Sequence, residues 1–531
     1  MEEKTFTELS REIADKFIRD IVFIDEQAYD KMSDKTEETD VHNNEFDAKA
    51  VSDAFLKKGK ICAIYAPLKE EDIYNSKPSL LKADVVVLDW NLKLSRDSDY
   101  NPDEDDESDN RGYYTKKLIE DLIKDASSEK VKMIVVYTGE TDLKDITNQI
   151  YNHIAKDIAL NRQNNCLISN KANNIRILIR AKETSRFKHL RQFQNKIVKY
   201  DKLPEFIVSE FSKITTGLLT NYALSAITTI RDNTSNILGV FSKDIDTAFL
   251  GHYISTAYSD DAISMLSEIF GSAITDLVDS SNLDIKTWID AWITHNLSKP
   301  FTTKICNKEI TVSAENLKNI IKSSNSEFKT KLQNAGFFSV KGNEDDLKRD
   351  AIKLFIKQGT KSKNYKLAKL IQHNNLFSSP KTPRLTTGTI VKYKSAKHWN
   401  FLLCIQQSCD SVRIPIDEKR TFLFLPLKKD IKGTAIVVEE AGHLIVDNKT
   451  YSIEAHKFSP IGKETQISAR SENGNFIFKD TDGKQYVWVA ELKKLFAQHI
   501  VSEYTSQLSR VGIDNSEWIR LMGKLKKGNN K

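Results

Sequence analysis

The chain has 531 residues, of which 40% are hydrophobic and 29% are charged, and its formal net charge is +5. This length exceeds what a single compact core usually supports, so we expect about two to four domains. The composition is that of an ordinary globular protein. The small net charge gives no general electrostatic argument for nucleic-acid binding, although local basic patches remain open.

Membrane insertion and secretion are not expected from this sequence. No apolar run approaches the ~20 residues that a membrane-spanning helix needs. The first residues, Met1–Lys4, lack the basic and apolar pattern of a signal peptide. The five cysteines have no framework spacing, which favours reduced thiols. These features predict a cytoplasmic protein without a membrane segment. The cysteines are Cys62, Cys166, Cys306, Cys404 and Cys409.

The N-terminal part alternates between strand and helix patterns. The alternation predicts a parallel sheet covered by helices on both faces. An acidic run without periodicity, near residues 95–111, is predicted to be a solvated insertion. The predicted elements in chain order are a helix at 5–19, a strand at 20–26, a helix at 48–58, strands at 60–66 and 84–89, a helix at 113–126, a strand at 131–137, a helix at 143–159 and a strand at 175–182.

Three of these hydrophobic strands end in polar residues. They lead, in chain order, into the acid pair Asp25 and Glu26, into Asp89, and into Thr138. In open α/β sheets, ligands and chemistry collect at the carboxyl ends of the strands. We therefore expect these side chains to form a site. Carboxylates that converge there repel one another and require a hard divalent cation such as Mg²⁺.

Residues 203–378 have mostly helical periodicity. The apolar positions are consistent with core helices of a second domain, or with a surface for dimerisation or signal output. A basic stretch, Lys357–Lys369, follows within this region. It is interpreted as a solvated helix face, with contact to phosphate or to an acidic partner as the alternative.

A Pro- and Ser-rich linker at Ser378–Pro383 precedes a change of pattern to short strands. We predict a small β-barrel-like domain at 384–491, followed by a helical segment at 492–531 that ends in a basic tail. The predicted strands lie at 388–393, 399–405, 421–426, 434–438, 443–446, 449–453, 475–479 and 485–489. The tail lysines are Lys524, Lys526, Lys527 and Lys531.

Cys404 and Cys409 are the most distinctive pair in the C-terminal part. With His398 nearby they suggest a zinc site, but no second ligand pair at zinc spacing is present. Cys409 beside Asp410 suggests a catalytic thiol, which would need His443 or His456 as its base. The third interpretation is a buried strand cysteine followed by a turn.

The pattern of strand ends resembles the receiver domain of bacterial response regulators over residues 15–200. The resemblance implies a flavodoxin-like parallel sheet. It also implies that Asp25, Glu26 and the backbone carbonyl of Asn91 bind Mg²⁺ together with Asp89, which would accept a phosphoryl group from a histidine kinase. Domains at 203–378, 384–491 and 492–531 would complete the chain.

The same resemblance gives Thr138 the role of the switch hydroxyl and Lys182 the role of the cation beside the phosphoryl group. The chain departs from the family pattern in two places. Glu183 follows Lys182 where the family usually has proline, and Arg180 is a rival cation. Ile179 stands near the place of the usual switch aromatic residue.

The leading functional prediction is a response-regulator-like signalling protein that uses Mg²⁺ and Asp89. The layout also resembles large atypical receiver proteins of bacterial conflict or phage-defence systems, with a histidine kinase or GHKL-type ATPase as partner. No nucleotide-binding loop or hydrolase motif is apparent, which favours a regulator over an enzyme. The alternatives are an unphosphorylated scaffold for such a partner, and an effector enzyme or nucleic-acid binder that uses the C-terminal domain.

Overall fold

The computed structural model describes residues 4–28, 46–92, 94, 112–125, 130–155, 159–163, 166–170, 174–183, 191–256, 259–323, 326–377, 382–395, 398–430, 435–439, 442–446, 452–462 and 464–508. The predicted acidic insertion, most of the linker and the basic tail lie outside them. The chain divides into two compact units, Met1–Phe301 with Val312–Ser324 and Thr302–Thr311 with Asn325–Lys531. The four predicted domain boundaries stay predictions.

The first unit contains a mixed β-sheet. Its strands are β1 (Asp20–Ile24), β2 (Ile61–Tyr65), β3 (Val85–Leu88), β4 (Lys132–Thr138), β5 (Leu160–Gln163), β6 (Leu167–Asn170) and β7 (Ile175–Ala181). Within the described residues the strand order is β2-β1-β3-β4-β7-β6-β5. The first five strands in this order are parallel, as predicted. β5 and β6 form an antiparallel edge that the sequence pattern does not predict.

Helices cover both faces of this sheet. They are α1 (Phe6–Phe17), α2 (Ala48–Leu56), α3 (Glu70–Lys82), α4 (Tyr113–Asp125) and α5 (Leu143–Ile154). One hydrophobic core joins the sheet to α3, α4 and α5, and a second core covers the other face through α1 and α2. Only α3 is not predicted by the sequence pattern. Its interior holds Pro78, a residue that usually interrupts a helix.

The helical region after the sheet extends the second core. Its helices within the first unit are α6 (Leu203–Thr215), α7 (Leu218–Asp232), α8 (Thr234–Val240), α9 (Asp246–Ser255), α10 (Ser259–Ser280), α11 (Ile285–Asn296) and α12 (Ala314–Lys322). α6 contributes Ile207 and Phe211 to that core, and α7 contributes Leu224. Arg231 of α7 also forms an ion pair of 2.8 Å with Asp84, directly before β3. The α6–α7 pair is therefore packed against the sheet rather than separate from it.

The second unit begins with the strands of a hairpin and three further helices. These are β8 (Phe301–Ile305), β9 (Lys308–Val312), α13 (Phe328–Asn334), α14 (Glu344–Asp350) and α15 (Thr360–Gln372). α15 carries most of the basic stretch, and its described residues are largely exposed. None of the described helices is both long enough and apolar enough to cross a membrane.

An antiparallel sheet forms the C-terminal part. Its strands are β10 (Thr389–Ser395), β11 (His398–Cys404), β12 (Arg420–Asp430), β13 (His443–Val446), β14 (Glu454–Phe458), β15 (Arg470–Glu472), β16 (Asn475–Lys479) and β17 (Gln485–Glu491), followed by α16 (Lys494–Leu508). Among the described residues the order runs from β13 through β12, β11, β10, β17 and β16 to β15, with β14 on β12. This path does not close, so the expected barrel is not confirmed.

One predicted strand of this sheet is wrong. Among the described residues of the strand predicted at 434–438 only an isolated bridge is found, between Val437 and Leu444. The residues there are continuously apolar and do not alternate with polar ones, so the pattern does not fix the register. Most of the strand predicted at 449–453 lies outside the described residues, and β14 begins at Glu454. β15 is short and is not predicted either.

Candidate functional site

The candidate site lies at the carboxyl end of the parallel strands in the first unit. β1 pairs with β2 on one side and with β3 on the other, so the strand order reverses between β1 and β3. A crevice at such a switch point is the usual ligand site of an open α/β sheet. Asp25 follows β1 and Asp89 follows β3. The fold therefore delivers both carboxylates to the same switch point.

Lys182 joins these two carboxylates. Its Nζ donates a hydrogen bond of 2.6 Å to Asp25 Oδ2 and one of 2.7 Å to Asp89 Oδ1. All three side chains are nearly buried. The exposed fraction of the side chain is 3% for Asp25, 9% for Asp89 and 6% for Lys182. Burial opposes the charge on Lys182, but Asp89 and Asp25 outweigh burial and raise the pKa of its ammonium group. Lys182 is thus held as a buried cation between two acids.

Backbone groups fix the orientation of both acids. The amide of Gln27 donates to Asp25 Oδ1 at 3.1 Å, and the amide of Asn91 donates to Asp89 Oδ2 at 2.8 Å. Thr115 of α4 donates its hydroxyl to the carbonyl oxygen of Asp89 at 2.7 Å. The role of Thr115 is not predicted from the sequence. Nothing in the local pattern of α4 marks a residue that holds a distant strand end.

Glu26 lies beside this pair and has an unsatisfied oxygen. Its Oε2 is buried and accepts no hydrogen bond. Burial, together with the charges of Asp89 and Asp25, raises the pKa of Glu26 to about 8. Burial, with the charge of Asp89, also raises the pKa of Asp25 to about 6, although Lys182 opposes the rise. The site thus contains more acid than its single lysine can balance.

These donors fit a divalent cation. Among the described residues no three acidic, histidine or cysteine side chains already surround one point, because Lys182 holds two of the acids. The free carboxylate oxygen of Glu26 and the second oxygens of the aspartates are nevertheless hard oxygen donors, which Mg²⁺ prefers. A cation there would also offset the excess negative charge. The role of the Asn91 carbonyl stays a prediction.

The side chains of Thr138 and Arg180 do not join the described hydrogen bonds among Asp25, Asp89 and Lys182, although the backbone amide of Lys182 donates to the carbonyl oxygen of Thr138 at 2.8 Å. Thr138 is buried at the end of β4, and its hydroxyl accepts a hydrogen bond of 3.0 Å from the amide of Glu140. Arg180 donates to the carbonyl oxygens of Cys166 and Ile179. Arg180 therefore does not take the position of Lys182.

An aromatic group covers Lys182 and is not predicted from the sequence. The Phe46 ring centroid lies 5.1 Å from Lys182 Nζ. Phe46 packs edge-on against Tyr200 with ring centroids 5.9 Å apart, and Tyr200 packs against Tyr137 at 6.0 Å. Tyr137 donates its hydroxyl to the carbonyl oxygen of Val198 at 2.5 Å. These rings form a continuous contact from Lys182 to the segment that precedes α6, and we call them the aromatic chain.

The structure does not assemble a site around the two C-terminal cysteines. Cys404 is fully buried in β11, and burial raises the pKa of its thiol to about 12. Cys409 is exposed, and its contacts go to Gln407 and Asp410. The proposed bases have other partners, since His443 accepts from the amide of Glu439 and His456 lies 3.0 Å from Glu454. The described geometry matches the interpretation of a buried strand cysteine followed by a turn.

Comparison with known proteins identifies the region around the acids. A family model described as "Response receiver domain" matches residues 17–186, which is less than half of the chain. The match includes the acids and Lys182. Residues 17–186 therefore form a response receiver domain within a larger protein, as the resemblance implied. A search among curated proteins found none that matches this chain.

Proposed function

We propose that this protein is a response-regulator-like signalling protein in which Asp89 accepts a phosphoryl group. The observation that carries the proposal is the bridging of Asp25 and Asp89 by Lys182 at the switch point of a receiver sheet. A buried lysine on the acceptor carboxylate is well placed to balance charge on the oxygens of an incoming phosphoryl group.

The chemical step is the transfer of a phosphoryl group to the carboxylate of Asp89, which becomes an acyl phosphate. An oxygen of Asp89 forms a bond to phosphorus while the bond from phosphorus to the donor atom breaks. This donor atom is the imidazole nitrogen of a phosphohistidine or the carboxyl oxygen of acetyl phosphate, and the donor leaves with the bonding electron pair. When bound, Mg²⁺ would neutralise part of the phosphoryl charge. Asp25 and Glu26 would hold it, with Asp89 and the Asn91 carbonyl completing the protein contacts. Lys182 would keep Asp89 oriented and hold its own proton throughout.

The response is proposed to leave the site through Thr138 and the aromatic chain. Thr138 would exchange its hydrogen bond with Glu140 for one to the phosphoryl group, as a switch hydroxyl. Lys182 would shift toward the same group and change its contact with Phe46. Because Phe46 packs on Tyr200, which lies directly before α6, such a shift would reach the helices at the start of residues 203–378.

The proposed partner is a histidine kinase or a GHKL-type ATPase, which would supply the phosphoryl group. The C-terminal sheet and the helices before it are proposed as the output or partner-binding region. Membership in a bacterial conflict or phage-defence system is part of the proposal, on the layout of the chain alone.

The test is incorporation of a phosphoryl group from acetyl phosphate by the full chain, with and without Mg²⁺, measured on a phosphate-affinity gel. We expect a shifted band only with Mg²⁺, and none for Asp89→Asn. Asp145→Asn is the matched control because Asp145 is exposed on α5, where its side chain accepts a hydrogen bond from Gln149. The control should shift like the wild type.

The rival function is a scaffold that binds its partner without phosphorylation. The observation that favours it is the absence of an aromatic residue at the usual switch position, where Ile179 is fully buried in β7. If folded wild type shows no shift with Mg²⁺ and Asp89→Asn retains partner binding, the scaffold replaces the phosphorylated receiver. If Asp89→Asn lost partner binding while the wild type kept it, the phosphorylation-independent scaffold would be excluded.

A further inference from the structure

A second charged region of the first unit lies on the face of β7 that α6 covers. It is an open cavity of about 790 Å³ formed by β7, the segment after it and α6. Six basic side chains line the cavity against two carboxylates. The basic residues are Arg176, Arg180, Lys196, Lys199, Lys202 and Lys213.

Both carboxylates already have partners. Glu210 is almost buried and accepts hydrogen bonds from Arg176 at 2.7 Å and from Lys213 at 2.6 Å. Glu205 pairs with Lys58 at 3.2 Å. Of the other basic residues, Lys199 pairs with Glu183 at 2.9 Å and Lys202 lies 3.9 Å from Glu205. Arg180 and Lys196 form no ion pair with a described carboxylate, so these two cations are the ones left to balance.

Arg180 is the most unusual of these residues. It is 6% exposed, and its two hydrogen bonds go to neutral carbonyl oxygens. No carboxylate among the described residues lies within ion-pairing distance of it. Its guanidinium stacks over the ring of Phe206, with 5.1 Å between Cζ and the ring centroid. Glu210 attracts Arg180 through space, but a buried guanidinium without an ion pair is costly unless a ligand supplies the charge.

Lys196 is a second cation of this cavity that has no carboxylate partner. It forms no ion pair within the part of the chain that the structure describes. Burial, followed by repulsion from Arg180, lowers the pKa of its ammonium group. Two cations that face one cavity and repel each other would both be stabilised by an anion placed between them.

We propose that this cavity binds a small molecule that carries more than one phosphate group. Several cations spread around one cavity suit a chain of phosphates better than a single anion, and arginine binds phosphate through paired hydrogen bonds. The cavity volume lies within the range of small-molecule sites. The proposal does not depend on phosphorylation of Asp89, which lies at the carboxyl ends of the strands rather than on this face.

Calorimetric titration of the full chain with inorganic pyrophosphate, inorganic tripolyphosphate and ATP tests the proposal. The titrations contain a chelator, so that divalent cations do not contribute. Orthophosphate is titrated as the single-phosphate reference, and we expect pyrophosphate to bind more tightly than this reference. Tighter binding of ATP than of tripolyphosphate would assign the site to a nucleotide, and equal binding would assign it to the phosphate chain alone. Failure of all three probes would overturn the proposal.

Amino-acid substitutions test whether pyrophosphate binds in this cavity. Lys196→Gln and Arg180→Gln should each weaken pyrophosphate binding by about tenfold, as expected for one lost charge-assisted contact. Lys144→Gln, an exposed lysine on α5, should bind like the wild type. Because Arg180 is buried, a failure of its variant to fold would not bear on binding, so Lys196→Gln decides the test. Equal affinities for Lys196→Gln and Lys144→Gln would contradict the site.

Asp89→Asn separates this proposal from the proposed function. It should abolish phosphorylation and leave pyrophosphate binding unchanged. Loss of pyrophosphate binding in Asp89→Asn would mean that the probe occupies the receiver site instead, which would also overturn the cavity as its binding site.

Discussion

The strand-end acids and the basic cavity are opposite arrangements within one unit. At the strand ends one cation, Lys182, lies between Asp25 and Asp89, with the acid Glu26 beside them. In the cavity one anion, Glu210, lies between Arg176 and Lys213, with Arg180 beside them. In each centre the buried ion has a partner on both sides, and one further group with the same sign as those partners lies nearby and forms no ion pair among the described residues. This group is Glu26 at the strand ends and Arg180 in the cavity. The first centre therefore suits an added cation, and the second suits an added anion.

The two charged centres differ in how far their side chains are buried. Asp25, Asp89 and Lys182 are nearly inaccessible, whereas the cavity opens to solvent and Lys213 is about half exposed. Charges in the first centre are screened less by water, so their interactions should be stronger. We therefore expect substitutions at the strand ends to have larger effects than those in the cavity.

The largest effect is expected for Lys182→Met. The variant leaves Asp25 and Asp89 buried without their cation, and breaking such a buried pair costs about 3–5 kcal/mol. Urea unfolding of the full chain should show this loss of stability. Adding Asp25→Asn should recover part of it, because one buried charge is then removed.

Lys60→Met is the matched control for that experiment. Lys60 is equally buried, but it donates to the carbonyl oxygens of Asp15 and Ile18 and its acidic partner, Asp15, is exposed. Replacing Lys60 leaves no buried carboxylate without its cation. The loss of unfolding free energy should therefore be smaller than for Lys182→Met. Equal losses for the two lysine variants would show that burial of the side chain, and not the acid cluster, sets the effect.

Glu210→Gln should have the next largest effect. It removes the charge that holds Arg176 and Lys213, and hydrogen bonds to charged groups contribute about 1.5–3 kcal/mol. Pyrophosphate should restore more stability to this variant than to the wild type, since an anion replaces the lost one. Glu205→Gln is the control and should change the unfolding midpoint much less, because the Glu205 side chain is about 43% exposed. An unchanged unfolding midpoint for Glu210→Gln would contradict the role given to this pair.

Magnesium should stabilise the strand-end centre by a smaller amount. A ligand present at tenfold its dissociation constant stabilises the folded state by about 1.4 kcal/mol. Thermal unfolding with MgCl₂, compared with KCl of equal ionic strength, should show this increase for the wild type and its loss on adding EDTA. Glu26→Gln should lose most of the increase, whereas Glu71→Gln, exposed on α3, should keep it. Retention of the full increase in Glu26→Gln would exclude Glu26 as a ligand.

The sequence predicts the strand-end centre better than its surroundings. Asp25 and Asp89 are found because each follows a buried apolar strand, and parallel strands bring their carboxyl ends to one edge. Lys182 follows β7 in the same way. The roles of Thr115, Phe46 and Tyr200 are not found, because their contacts join elements that are distant in sequence and no local pattern encodes them.

The basic cavity illustrates the same limit. Arg176 and Arg180 alternate with the apolar residues of β7, so the sequence places them on one face of the strand. It does not show that α6 brings Glu210 and Lys213 to that face, because this depends on how the helix packs. β5 and β6 are missed for a related reason: β5 is exposed beyond Leu160 and has no apolar alternation.

The smallest effect is expected for the pH dependence of pyrophosphate binding. The pKa of Lys196 lies below its ordinary value of 10.5, because burial and the positive charges of Arg180 and Lys213 outweigh the attraction of Glu210 and Cys166. Lys196 is cationic below this pKa and becomes neutral as the pH rises through it, so the affinity of the cavity for an anion should fall as the pH rises.

The variant Lys196→Arg tests this expectation. Arginine stays protonated throughout, so Lys196→Arg should flatten the pH dependence between neutral pH and about pH 9.5. Lys199 should contribute little to the change, because its hydrogen bond to Glu183 raises the pKa of its ammonium group. Calorimetric titration of both proteins across this range is the measurement. Parallel curves would mean that Lys196 does not contact the bound phosphates, and the anion would then have to be bound by the other basic residues of the cavity.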